Sequence, residues 1–140
     1  MKKKIILFIL IMINLISCKE KTVNIDDISF EINVKNGKLD GNTTVYYRGG
    51  QIQSERTYEK GGPINEAKYY YEDGQLQVFI DYKNKIKKTY YRDGALYAEM
   101  KFLGNNEWKS EGEATNYYEN GKVKVIEIYE HGKFISKKEF

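Results

Sequence analysis

The chain has 140 residues, enough for one domain, and its 13 Tyr against a single Pro favour strands over helices. One Cys and one His leave no disulfide framework, no thiolate or histidine metal cluster and no nucleophile–base pair built on them. Three of the 23 basic residues are Lys2, Lys3 and Lys4; without them 20 basic residues face 20 acidic ones, so nucleic acid, which asks for a net-basic face, is not indicated as a partner.

The chain opens with Met-Lys-Lys-Lys, followed by an apolar run from Ile5 to Ile16 broken by Asn14. A positive start and a short apolar stretch are the parts of a secretory signal, and about a dozen residues span a bilayer poorly as a helix. The run ends in Leu15-Ile16-Ser17-Cys18, which resembles the lipobox of bacterial lipoproteins. The resemblance implies cleavage before Cys18, diacylglyceryl modification of its thiol, and a protein held to the membrane by acyl chains outside the cytoplasm, on a periplasmic or surface face. Residues 1–17 are thus read as a lipoprotein signal peptide, 18–28 as a lipidated tether and 29–140 as the folded domain.

Beyond the tether, Phe30-Glu31-Ile32-Asn33-Val34 alternates as a strand and Asn36-Gly37 marks a turn. A repeat follows. Tyr-Tyr-x-x-Gly-x-(Ile/Leu/Val) occurs at Tyr46–Ile52, Tyr70–Leu76, Tyr90–Leu96 and Tyr117–Val123, at separations of 24, 20 and 27 residues. Eleven residues after each second tyrosine stands another aromatic: Tyr58, Tyr82, Phe102 and Tyr129. A fixed unit with variable connectors describes a rigid hairpin joined by tolerant loops. Gly49-Gly50, Asp73-Gly74, Asp93-Gly94 and Asn120-Gly121 predict two-residue type I′ turns, which set Tyr47 against Ile52, Tyr71 against Leu76, Tyr91 against Leu96 and Tyr118 against Val123.

Directly opposed residues share a face, so the second tyrosines join Leu76, Val78, Ile80 and Tyr82, and Leu96, Ala98, Met100 and Phe102, on a core face. Ser54, Arg56 and Glu127 interrupt it in the outer copies. The first tyrosines, Tyr46, Tyr70, Tyr90 and Tyr117, fall on the opposite face beside Gln53, Gln77, Tyr97 and Lys124. They serve either as cross-strand cover for the sheet or as a partner-binding surface, for which amphipathic Tyr is suited. The connector Leu103-Gly104-Asn105-Asn106-Glu107-Trp108 is expanded, Tyr82–Ile86 lacks glycine, and His131-Gly132 turns the chain into Phe134 and Ile135.

Tandem Tyr-Tyr-x-x-Gly-x-Leu hairpins over about residues 36–134 resemble the variant MORN repeat of bacterial proteins often labelled YwqK-type antitoxins. The resemblance implies an all-β fold, a meandering antiparallel sheet of tandem hairpins that extends lengthwise or curls, and action through protein contacts. An antitoxin-like or immunity role would have to be played in the envelope. The residues present no catalytic set, no metal site and no cofactor motif: His131 reads as a solvated turn residue, Glu72 with Asp73 and Glu111 with Glu113 as solvated carboxylates, and Lys83, Lys85, Lys87, Lys88 and Arg92 as a charged rim against edge association. The expectation is a non-enzymatic envelope lipoprotein that binds a protein, with glycan or peptidoglycan stacking on the tyrosine row as the alternative. How the apolar face is covered, by curling, by a second copy or by a partner, stays open at the level of sequence.

Overall fold

In the computed structural model, which describes residues 21–25 and 28–140, every described element is a strand. Eleven strands follow in chain order: β1 Lys21–Ile25, β2 Ile28–Lys35, β3 Lys38–Tyr46, β4 Ile52–Glu59, β5 Gly62–Tyr70, β6 Leu76–Asp81, β7 Ile86–Tyr90, β8 Leu96–Leu103, β9 Asn106–Tyr117, β10 Val123–Glu130 and β11 Lys133–Glu139. Each pairs antiparallel with the next in a single sheet, β1 to β11 without a crossover. This is the all-β hairpin meander expected from the repeat. Strand β1 extends the sheet into the stretch that composition reads as a tether; residues 1–20, including Cys18 and the signal-like run, lie outside the described residues.

The four Tyr-Tyr turns depart from the expected type. The Tyr71 N–H donates to the Gln75 carbonyl at 2.8 Å and the Gly74 N–H to the Tyr71 carbonyl at 2.9 Å, and the same pair of bonds recurs at Tyr47, Tyr91 and Tyr118. The loop therefore has three residues, and its last, glycine, takes the positive φ (Gly74, 85°) while Asp73 does not. This is a tight turn closed by a left-handed residue, not a type I′ turn. The aspartate or asparagine is selected for its side chain: Asp73 Oδ1 accepts the Gln75 N–H at 3.1 Å, Asp93 that of Ala95 at 2.9 Å and Asn120 that of Lys122 at 3.0 Å. Type I′ geometry appears at the other end of the sheet, where both residues of Asn36-Gly37, Lys60-Gly61 and His131-Gly132 have positive φ.

The extra loop residue shifts the pairing next to each turn, so that Tyr70 opposes Leu76. One residue further on a bulge at Gln77 absorbs the shift and Tyr69 opposes Val78. The same correction follows Tyr46, Tyr90 and Tyr117. From there inward the pairing is the one counted from the sequence, because one residue gained in the loop is lost in the bulge.

The core sits on the face predicted for it. Ala67, Ile80, Tyr82 and Phe102 are buried, with Tyr69 and Val78 packed against them, and the Tyr82 and Phe102 rings meet edge-on at 5.9 Å. Ala67 opposes Ile80 and Ile80 opposes Lys87, while Arg56 opposes Ala67, so one cross-strand row carries two apolar residues flanked by two long cations. A single sheet exposes such a row unless something lies on it. Here the chain covers its own core face. Between Leu103, paired with Asn106, and Phe102, paired with Ser110, the strand β9 extrudes Glu107, Trp108 and Lys109. From that excursion Glu107 reaches Arg56, 51 residues away, at 2.9 Å. Flat strands β4 and β9 would lie about 24 Å apart at ~4.8 Å per strand, so the contact requires the sheet to bend toward this face. Beneath it Ile80 is 0% and Ala67 1% exposed.

Candidate functional site

The two tyrosines of each copy do different work. The second points along the turn edge and bonds to the next copy: Tyr47 Oη–H donates to the Tyr70 carbonyl at 2.6 Å, Tyr71 to the Tyr90 carbonyl at 2.9 Å and Tyr91 to the Tyr117 carbonyl at 2.8 Å. Each bond spans from the second tyrosine of one hairpin to the first tyrosine of the next. Tyr118, in the last copy, is 42% exposed. Charged turn residues reinforce the line, since Arg92 pairs with Asp73 at 2.8 Å and lies over the Tyr71 ring.

The bulge changes what stands beside these rings. Strict alternation separates Tyr97 from Tyr91 and Lys124 from Tyr118. In the structure Tyr97 packs edge-on against Tyr91 at 5.1 Å, and the Lys124 ammonium lies over the Tyr118 ring. Alternation fails there because the bulged residue no longer has a single partner across the pair.

The first tyrosines, Tyr46, Tyr70, Tyr90 and Tyr117, occupy β3, β5, β7 and β9, one on every second strand and all half-buried. Two strand spacings put neighbours in this row roughly 9–10 Å apart. They share the face away from the core with charged residues. Tyr70 Oη–H donates to Glu55 Oε2 at 2.8 Å, and burial together with that carboxylate pushes its phenol up to about 12. Burial and the Glu31 and Glu55 carboxylates push Tyr46 up as well. Further along, Lys88 pairs with Glu99 at 2.9 Å across β7 and β8. A polar groove of about 330 Å³ lies over β3–β5, with Glu55, Thr57 and Lys68 among its walls.

The lysine-rich stretch is not a uniform rim. Lys87 turns inward and is 9% exposed, Lys88 turns to the opposite face, Lys85 donates to Asn105 Oδ1 at 2.7 Å, and Arg92 joins the turn edge. Successive residues of a strand take opposite faces, so a run of like charge in sequence is divided in space. His131 stands exposed in its turn. Among the described residues no three His, Cys, Asp or Glu side chains gather as a metal site.

Three stretches, residues 39–60, 65–84 and 110–133, match the MORN repeat variant family. Each spans one Tyr-Tyr hairpin. The chain carries MORN-variant repeats. The copy from Tyr90 to Phe102 falls between the matched stretches, yet has the same turn bonds, the same bulge and the same tyrosine-to-carbonyl link. No protein of curated function matches the sequence. Among solved structures, the chain is similar to part of a GtfA/B complex bound to UDP and GlcNAc, at 10% identity and a TM-score of 0.28, covering 81% of this chain and 25% of that one. It is similar as well to S. aureus TarM as a mutant in complex with Fondaparinux, alpha-GlcNAc-glycerol and UDP, at 12% identity and 0.24, over 85% and 23%. A further TarM structure matches at 12% and 0.25, over 91% and 24%. The chain spans about a quarter of the length of these proteins.

Proposed function

We propose that this MORN-variant chain is a non-enzymatic protein-binding module of the bacterial cell envelope, tethered through acyl chains on Cys18, that meets its partner with Tyr46, Tyr70, Tyr90 and Tyr117. The observation that supports this reading is the division of labour within each Tyr-Tyr pair. In the first three copies the second tyrosine's hydroxyl is taken up by the repeat-to-repeat link, whereas the first tyrosine of every copy lies half-buried on the face away from the core, where Tyr70 meets Glu55. Rigid aromatics on regular strands, interleaved with Glu31, Glu55 and the Lys88–Glu99 pair, offer a surface of mixed charge with little conformational entropy left to lose on binding. In the antitoxin-like version, the partner is a toxin that acts in the envelope.

The test is capture of partners from the envelope fraction with the wild-type chain and with Tyr70→Ala/Tyr90→Ala. Two central aromatic anchors account for a loss of roughly 30-fold or more in affinity. Undiminished capture by the double variant would remove the row as the binding surface. A glycan array run in parallel separates the two ligand classes: saturable glycan binding lost in the same variant favours sugar stacking over a protein partner. Metabolic acyl labelling of wild type and Cys18→Ala tests the tether on its own.

A further inference from the structure

Two cations and one carboxylate gather on the core face. Arg56 opposes Ala67 and Lys87 opposes Ile80; Glu107 pairs with the partly exposed Arg56 and acts on the buried Lys87 through its charge. Glu107 is 8% exposed and bonds to Arg56 Nη2, yet Arg56 Nε is buried without a hydrogen-bond partner. Tyr58 Oη lies 3.3 Å from Arg56 Nη1, and the hydroxyl of the buried Tyr82 faces the Glu107 carboxylate. The Lys87 ammonium is capped by the Trp108 ring at 3.7 Å, while Trp108 itself is 73% exposed. Burying a cation is costly unless an anion meets it, so two cations over one carboxylate leave an unspent attraction for negative charge.

We propose that Arg56, Lys87, Tyr58 and Tyr82 form a carboxylate-binding site, filled in this conformation by the chain's own Glu107, with Trp108 as its lid. The site is on the opposite face from the tyrosine row and does not depend on that row's role. Its two cations, Arg56 on β4 and Lys87 on β7, are fixed by the sheet, whereas its present occupant comes from a three-residue excursion that is not paired into the ladder. Such an occupant can leave without breaking strand pairing, and the carboxylate of an incoming ligand takes its place on the guanidinium. Burial pushes the Lys87 ammonium down despite Glu107's charge, and a ligand with two carboxylates, unlike Glu107, brings one to each cation.

Trp108 is the one tryptophan of the chain, so its fluorescence reports on the site directly. The probes are succinate and a short glutamate-rich peptide, each titrated against chloride of equal ionic strength, with Glu107→Ala beside wild type. The expected result is a saturable change in Trp108 fluorescence in Glu107→Ala at a concentration at least tenfold below that needed by wild type, and its loss on adding Arg56→Met. Glu107→Gln keeps the shape and the hydrogen bond to Arg56 but removes the charge, and serves where the alanine variant does not fold; the same leftward shift is expected there. A response in both variants no different from that to chloride, or one that survives Arg56→Met, overturns the proposal. A response to succinate alone indicates a small-molecule carboxylate, and one stronger for the peptide indicates an acidic segment of a protein.

Discussion

The hydroxyl of Tyr71 donates to the backbone carbonyl of Tyr90 at 2.9 Å, and this bond ties one hairpin to the next outside the strand ladder. It accounts for the second tyrosine of the motif. The first offers a carbonyl beside the bulge, where ladder pairing is interrupted, and the second supplies the donor that satisfies the carbonyl of the next copy. Replacing Tyr71 with Phe keeps the ring and the overlying Arg92 but deletes that donor. A loss of about 1 kcal/mol is expected. Tyr118, which stands 42% exposed, should tolerate Phe within ~0.5 kcal/mol. Urea unfolding of the two variants measures the difference; equal midpoints would show that the tyrosine link adds nothing.

The turns invite a second test. At Gly74 φ is 85°, a conformation that costs an L-residue about 1–2 kcal/mol, so Gly74→Ala destabilises by that order although nothing lies within 4 Å of the added carbon. Gly49 is the opposite case. It stands where the other copies have Asp73, Asp93 and Asn120, and its φ is not positive. Gly49→Asp supplies the missing acceptor for the Gln51 N–H and restricts the unfolded chain; the Gln51 side chain must swing aside, which its flexibility permits. A gain of roughly 0.5–1 kcal/mol is expected, read as a rise in thermal midpoint.

The Arg56–Glu107 bridge makes stability sensitive to acid. Burial pushes the Glu107 carboxyl up, but its own backbone amide and the Arg56 guanidinium outweigh burial and hold it below its ordinary value of 4.5. A carboxylate lowered on folding contributes stability that is present above its unfolded value and is lost as pH falls through the folded one. Arg56→Met removes the partner while Glu107 stays buried. A cost of about 2–3 kcal/mol at neutral pH is expected, less than for a fully buried pair because the arginine is partly exposed. The acid-unfolding midpoint should move to higher pH; an unchanged midpoint would mean that Glu107 is not held by Arg56.

At alkaline pH the sign follows from tyrosine. Burial pushes Tyr82 up to about 12, with Arg56 and Glu107 pulling in opposite directions, and Tyr70 rises to about 12 through burial and Glu55. A group raised on folding gives stability that is complete below its unfolded value of 10.0 and is lost as pH climbs through the folded one. Tyrosinate absorbance should therefore show a late class, Tyr70 and Tyr82 within it, appearing together with unfolding between pH 10 and 12. Tyr82→Phe should reduce that class. Simple titration of all tyrosines in one step, with the fold intact, would contradict this.

Much of the architecture is legible in residue order because its causes are local. Period-2 alternation placed Val78, Ile80, Tyr82 and Phe102 on one face, and the constant eleven-residue interval from Tyr71 to Tyr82 identified the hairpin as the unit. The register of the strand bodies could be counted as well, since the extra loop residue and the bulge cancel. The turn type could not: Asp-Gly suits either geometry, and only the hydrogen bonds of Tyr71, Asp73 and Gly74 distinguish them.

The row of first tyrosines is legible in the sequence, whereas the cation pair on the core face is not. In sequence Arg56 is an interruption of the alternation and Lys87 part of a charged run; the expanded connector ending in Glu107 and Trp108 is what meets them. Sequence by itself determined a hairpin repeat, its pairing and its two faces, through alternation and turn residues acting over a few positions. The tertiary structure decided how the apolar face is covered and where the buried charges meet. Arg56 and Glu107 are 51 residues and five strands apart, and only the bend of the whole sheet brings them to 2.9 Å.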